Sequence, residues 1–316
     1  MQTELAATMK NADIKAQYDF HCKKVLGNKN VLARILKGTV VEFEGFDIEK
    51  IKECIEGEIS ISDISVQPEP RRKEILPEEI SGLSQENAIS GEGKIFFDIR
   101  FHAYTPNKKE KVKLIINVEG QKKFRPGYEL VTRGIFYGSR MISSQLGTEF
   151  TLPDYDGIKK VYSIWVCLNT PDYIGNALAK YQIVKEDLVP GFPDVPQAYD
   201  KMTVIMVGIN EKEEAKRDFQ KMLSLCFRSD IKVDKKIEDL ERKFHIPMDD
   251  GLEKEMNLMC NFSELVMEQG LEQGKIKEKK RMILEMLKSG LENRLIMQIA
   301  DISEEELIQL KEEAQD

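Results

Sequence analysis

The segment KKVYSIWVCL (159–168) is an almost unbroken apolar run, rich in β-branched and aromatic residues and too short for a helix. Such a run is a strand that needs cover on both faces, which calls for a sheet with helices packed on either side. Its neighbours agree. KIFFDIRFHAY (94–104) alternates, with Phe97, Ile99, Phe101 and Ala103 on one face and Phe96, Asp98, Arg100 and His102 on the other. The turn TPNKK (105–109) leads to KVKLIINVEGQ (111–121), and the two strands predict a β-hairpin. Pro126 and Gly127 break the chain. From Tyr128 to Leu146 the spacing of Leu130, Val131, Ile135, Met141, Ile142 and Leu146 predicts an amphipathic helix. Further strands are expected around 180–184 and 203–209. Helix, hairpin, helix and buried strand together make an α/β protein with a mixed sheet.

The flanks read as helices. Residues 13–56 carry apolar positions at helical spacing (Ile14, Tyr18, Cys22, Val25; Val31, Leu32, Ile35, Leu36), interrupted near Gly27, and Asp47 is placed to cap a second, short helix. Residues 57–93, with Pro68, Pro70 and Pro77, read as a long loop. After Glu211 helices are expected at about 212–227, 231–243, 249–268, 275–289, 291–300 and 303–313, with Gly270 and Gly274 as punctuation. The expected division is therefore a domain over 1–210 and an all-helical C-terminal region over 211–316. The last two helices have a helix–turn–helix cadence, but the second opens Ser303-Glu304-Glu305-Glu306, and that acidic start repels phosphate. Ser303 with Glu306 reads as a capping box. Self-association into a homo-oligomer, or packing on the core, fits this tail better than DNA contact does.

Charge excludes little until it is located. The net charge of −8 speaks against a nucleic-acid binder, yet Asp249–Asp316 alone holds 17 acidic and 9 basic residues, which accounts for all of it. Between Lys108 and Arg140 nine basic residues face only three acidic ones, a local surplus suited to tracking phosphates. A solvated hairpin edge explains the same lysines. The longest apolar run outside 159–168, Met202–Ile209, is strand-sized, so no membrane span is expected. The first fifteen residues lack an apolar stretch behind a basic start, so no secretory leader is expected either. Five scattered cysteines without a CxxC pair point to buried, reduced thiols and a cytoplasmic location, and three histidines argue against a His-based metal site.

The chemistry-bearing residues sit on the hairpin. Period two puts Ile115, Asn117, Glu119 and Gln121 on one face of the second strand, and pairing about the 106–108 turn brings Asp98 near 116–119. Two carboxylates on adjacent strands form a hard-oxygen site of the kind that holds Mg²⁺ with the help of water and substrate phosphate. Lys122, Lys123 and Arg125 follow at once and can clamp a nucleic-acid backbone. An ion pair of Asp98 with Arg100 or Lys113 would satisfy the buried charge equally well.

The stretches NADIKAQYDFHCKKVLGNKNVLARILK (11–37), GEGKIFFDIRFHAY (91–104), KLIINVEGQKKFRPGYELVTRGIFYGSRMISSQ (113–145) and YDGIKKVYSIWVCLN (155–169) resemble the PD-(D/E)XK nuclease family transposases, relatives of the recombination-promoting nucleases. The resemblance implies a restriction-endonuclease-like αβββαβ core, metal-dependent DNA cleavage with Mg²⁺ or Mn²⁺, and a link to mobile elements. By position it implies Asp98 and Glu119 as metal ligands and catalytic residues, with Gln121 in place of the superfamily lysine. Glutamine orients a water through hydrogen bonds but brings no charge. Asp19 and Glu92 are candidates for a further acidic residue, Arg133 for DNA contact, and Tyr137 for contact with phosphate or for the core. The alternative is a nuclease-fold protein with weak or no catalysis that acts as an interaction or oligomerisation module. A DDE transposase lacks a third suitably placed carboxylate.

Overall fold

The structure is a computed structural model that describes residues 2–56, 59–61, 86–89, 93–106, 113–121, 124–300, 302–303, 306–308 and 310. The chain forms two compact units, one of Ala16–Cys260 and one of Met1–Lys15 with Asn261–Asp316. The boundary expected at 210/211 lies inside the first unit.

In that unit β6 (Lys160–Leu168) is the double-sided strand its composition calls for. Its Tyr162, Ile164, Val166 and Leu168 enter one core and its Val161, Trp165 and Cys167 another. It runs parallel to β5 (Lys113–Gln121) on one side and to β8 (Met202–Ile209) on the other. Beyond β5 the antiparallel β4 (Ile99–Tyr104) and the two-residue β1 (Ser60–Ile61) follow, and beyond β8 the antiparallel β7 (Leu178–Gln182) forms the other edge. The result is an α/β fold on a mixed sheet.

The larger core lies between the sheet and the helices α1 (Gln2–Leu26), α2 (Lys29–Thr39), α3 (Ile48–Cys54), α6 (Asp218–Phe227), α7 (Val233–Phe244) and the start of α8 (Asp250–Lys288). Side-chain caps start α2 and α3. The Asn28 side chain accepts from the Asn30 N–H at 2.9 Å and Asp47 from the Lys50 N–H at 2.8 Å, each satisfying an orphan donor of the first turn. All five cysteines are buried and none is in a disulfide.

The other face is covered by α4 (Leu130–Ser143), which packs over β6 and β8. Gly134 allows this: a Cβ built there meets Val204 Cγ1 at 2.6 Å and Trp165 Nε1 at 3.0 Å. Gly134→Val is therefore expected to lower stability by about 1–3 kcal/mol through overpacking, read as a lower urea midpoint with unchanged slope.

Three expectations need correction. The stretch 94–104 is not one strand. β3 (Gly93–Phe96) pairs with β2 (Glu86–Ile89), β4 begins at Ile99, and the chain steps at Phe97–Asp98. Phe97 consequently packs under α4, while Ile99, Phe101 and Ala103 face the opposite core. The expected loop 57–93 contains β1 and β2. Finally, the helices expected at 249–268 and 275–289 are one continuous helix, α8. An interior glycine costs about 1 kcal/mol, and Gly270 and Gly274 do not outweigh the good helix formers between them. Ion pairs of Arg281 with Glu278 (2.5 Å) and Glu285 (2.9 Å) add support.

In the second unit α9 (Asn293–Ala300) packs its Ile296 and Ala300 with Ile283 and Leu307. The capping box forms as expected: the Ser303 N–H donates to Glu306 Oε2 at 2.8 Å and the Glu306 N–H to Ser303 Oγ at 3.2 Å. Short α5 (Pro196–Tyr199) completes the α-helices of the described residues. Among those residues no helix is long and apolar enough to cross a membrane.

Candidate active site

The register Ile99↔Val118 brings Asp98 opposite Glu119, one step beyond the end of the β4–β5 ladder. Because the chain steps at Asp98, its N–H is not used in that ladder. It donates to Glu119 Oε1 at 3.0 Å instead, and Asp98 Oδ2 accepts from the Gly120 N–H at 3.1 Å. Both residues are 2% exposed. The third participant comes from α1: Lys23 Nζ lies 2.9 Å from Asp98 Oδ1 and 3.8 Å from Asp19 Oδ2, one turn earlier on the helix. Gly120 brings that helix close, since a Cβ there would meet Leu26 Cδ1 at 3.0 Å.

Electrostatics make the pair costly. Burial pushes the Asp98 carboxyl above its ordinary value, against the pull of the Lys23 ammonium. Glu119 is pushed well above its ordinary value, by burial first and by repulsion from Asp98 second; the Asp98 N–H and Arg133 draw it back only in part. Asn117, fully buried two residues before Glu119, lies beside that carboxylate but outside hydrogen-bond geometry. Among the described residues the cations acting on the pair are thus Lys23 and Arg133. Two like charges held together in low dielectric, with Asp19 near by, fit a divalent cation as an added counter-charge. Among the described residues no cluster of three or more His, Cys, Asp and Glu side chains is formed. Mg²⁺ usually takes only one or two carboxylates and keeps several waters, so the residues that could hold such an ion here are Asp98 and Glu119.

No family model, curated protein or solved structure matches this chain.

The other expected residues divide. Gln121 lies two residues beyond Glu119 at the end of β5, half-buried and in register with Cys167. Arg133 is half-buried on α4. It donates to the Tyr128 hydroxyl at 2.7 Å and the Tyr137 hydroxyl at 2.9 Å, and its guanidinium lies 5.1 Å from the Tyr137 ring centroid and 5.2 Å from that of Trp165. Tyr137 belongs to the core, edge-on to Phe97 (5.4 Å) and Trp165 (5.3 Å), and burial raises its hydroxyl to about 12. Arg125 is exposed, and Asp19 stands beside Lys23. Lys122, Lys123 and Glu92 lie outside the described residues.

Two expectations change. The partner of Asp98 is neither Arg100 nor Lys113: Arg100 is directed to Ser144 Oγ (3.2 Å) and the Phe97 ring, and Lys113 pairs with Glu149 at 2.7 Å. The basic surplus of 108–140 is also not wholly a surface property, because Lys113 is taken up by that pair and Arg140 is 3% exposed. Lys23 was missed. A signal existed: Asp19, Cys22, Lys23 and Leu26 share one helical face, and a lysine between buried positions asks for a buried partner.

Proposed function

We propose that this chain is a metal-dependent endodeoxyribonuclease of the PD-(D/E)XK type, acting in the cytoplasm and linked to mobile elements or recombination. The observation that carries the reading is the buried Asp98–Glu119 pair at the end of two adjacent strands, joined by the 3.0 Å contact from the Asp98 N–H. The order of elements supports it: a helix, the antiparallel strands β1, β4 and β5, then α4 and the parallel β6 follow one another along the chain in the order of an αβββαβ core.

Mg²⁺ or Mn²⁺, when bound, supplies charge neutralisation at the phosphate and a more acidic water. Asp98 and Glu119 hold the ion. Gln121 orients the attacking water through its amide, and the Asp98 N–H fixes the direction of the Glu119 carboxylate. Among the described residues, contact with the DNA backbone falls to Arg125 and Arg133.

A second reading is favoured by a different observation. The segment after β7 leaves Leu188 89%, Val189 81% and Phe192 75% exposed, a degree of apolar exposure that suits an interaction module. Plasmid nicking by the purified protein separates the two. Cleavage with Mg²⁺ or Mn²⁺, its loss in EDTA and its loss in the Asp98→Ala/Glu119→Ala double variant are expected. No cleavage with either metal, together with a stable oligomer by light scattering, would leave the interaction module.

A further inference from the structure

The ion pair between Lys23 and Asp98 has no counterpart in the sequence pattern of the hairpin. Position 121 carries an uncharged amide. Arg133, the other cation acting on the pair, is held by two tyrosine hydroxyls and stacked over two rings, so its position is set by α4. Lys23 is 3% exposed, and its ammonium lies 2.9 Å from one carboxylate and 3.8 Å from a second. Burying an ammonium is expensive, and replacing such a pair with apolar residues often leaves a protein as stable or more so. Fold stability alone is therefore a weak reason for this arrangement.

We propose that Lys23 is a catalytic residue of this site, supplying from the first helix the positive charge that the superfamily draws from the strand position held here by Gln121. The inference rests on the nuclease reading above. In phosphodiester hydrolysis the water oxygen bonds to phosphorus while the bond from phosphorus to the leaving sugar oxygen breaks. One proton leaves the attacking water and one reaches the leaving oxygen, both exchanged with solvent. Negative charge grows on the phosphoryl oxygens as this happens, and a fixed ammonium lowers that barrier without transferring a proton. The approach of α1 at Gly120 is what lets a helix residue do this.

The test compares the wild-type chain, Lys23→Met and the double variant Lys23→Met/Gln121→Lys by plasmid nicking, Mn²⁺ calorimetry and thermal melting. Lys23→Met is expected to melt cooperatively, to bind Mn²⁺ at least as tightly as wild type because a competing cation is gone, and to cleave about 100-fold more slowly. Returning a lysine on β5 is expected to recover about tenfold or more of that loss. A counter-ion needed only for folding would not be rescued from the other side of the strand. Cleavage by Lys23→Met within about threefold of wild type overturns the proposal. So does a parallel loss of Mn²⁺ affinity, or a double variant no faster than the single. If Lys23→Met does not fold, Lys23→Gln replaces it: slow cleavage with Mn²⁺ affinity no weaker than wild type supports the assignment, and an unchanged rate overturns it. A wild-type protein that cleaves nothing with either metal overturns the nuclease reading itself, whereas active wild type beside equally active Lys23→Met overturns only the role of Lys23.

Discussion

Glu119→Gln is expected to lose metal-dependent DNA cleavage by at least about 1,000-fold while leaving the protein as stable as before, or more stable, at neutral pH. The activity part follows from the ligand set. With two carboxylates to hold a divalent ion, removing one charge removes half of the protein's hold on it. The stability part follows from burial. Gln keeps an oxygen to accept the Asp98 N–H, so the 3.0 Å contact survives, and it removes a carboxylate that burial and Asp98 both disfavour in its charged form.

The pH dependence has a definite sign. The folded state holds the Glu119 proton more tightly than the unfolded chain, whose carboxyl has its ordinary value of 4.5. Stability from this group is therefore full below about pH 4.5 and falls as the pH rises toward the elevated folded value, where the loss levels off. Glu119→Gln lacks this slope, so its melting temperature relative to wild type should be higher at pH 8 than at pH 5. Equal differences at the two pH values would mean that the carboxylate is not strained by its site. Asp98→Asn should lose activity as completely but behave differently in melting. It leaves the buried Lys23 ammonium short of its nearest carboxylate, with an expected loss of about 1–3 kcal/mol.

The pairing of Asp98 with Glu119 was legible because hairpin register is arithmetic: once the turn is placed, partners on the two strands follow. The double-sided burial of β6 was legible from composition alone. Other features depend on contacts between distant segments. The step at Phe97–Asp98 interrupts an alternation that reads smoothly through KIFFDIRFHAY. It arises because β3 takes β2 as its partner, and no local residue announces that choice. The same step frees the Asp98 N–H for Glu119, so the least legible part of the hairpin organises the site. Lys23 illustrates a related limit. Helical periodicity places it on a buried face, but only the approach of α1 at Gly120 selects which carboxylate it meets.

Trp165→Ala is expected to destabilise the protein by about 3–5 kcal/mol and to disable the site with it. Trp165, the sole tryptophan, is fully buried in β6 and in register with Glu119 on β5. Its indole N–H donates to Ser163 Oγ at 2.8 Å, its ring meets Tyr137 edge-on, and the Arg133 guanidinium lies over it. The ring therefore does two things at once. It fills the space below α4 that Gly134 leaves open, and it is the surface on which Arg133 is held near Glu119. Removing it leaves a cavity and releases Arg133, so the urea midpoint should fall and cleavage should weaken together. Trp165→Phe separates the two roles. It restores most of the apolar volume and an aromatic face, but not the donor to Ser163, and should recover most of the stability and most of the activity. A Trp165→Phe protein that is stable yet inactive would place the indole N–H itself in the positioning of the site.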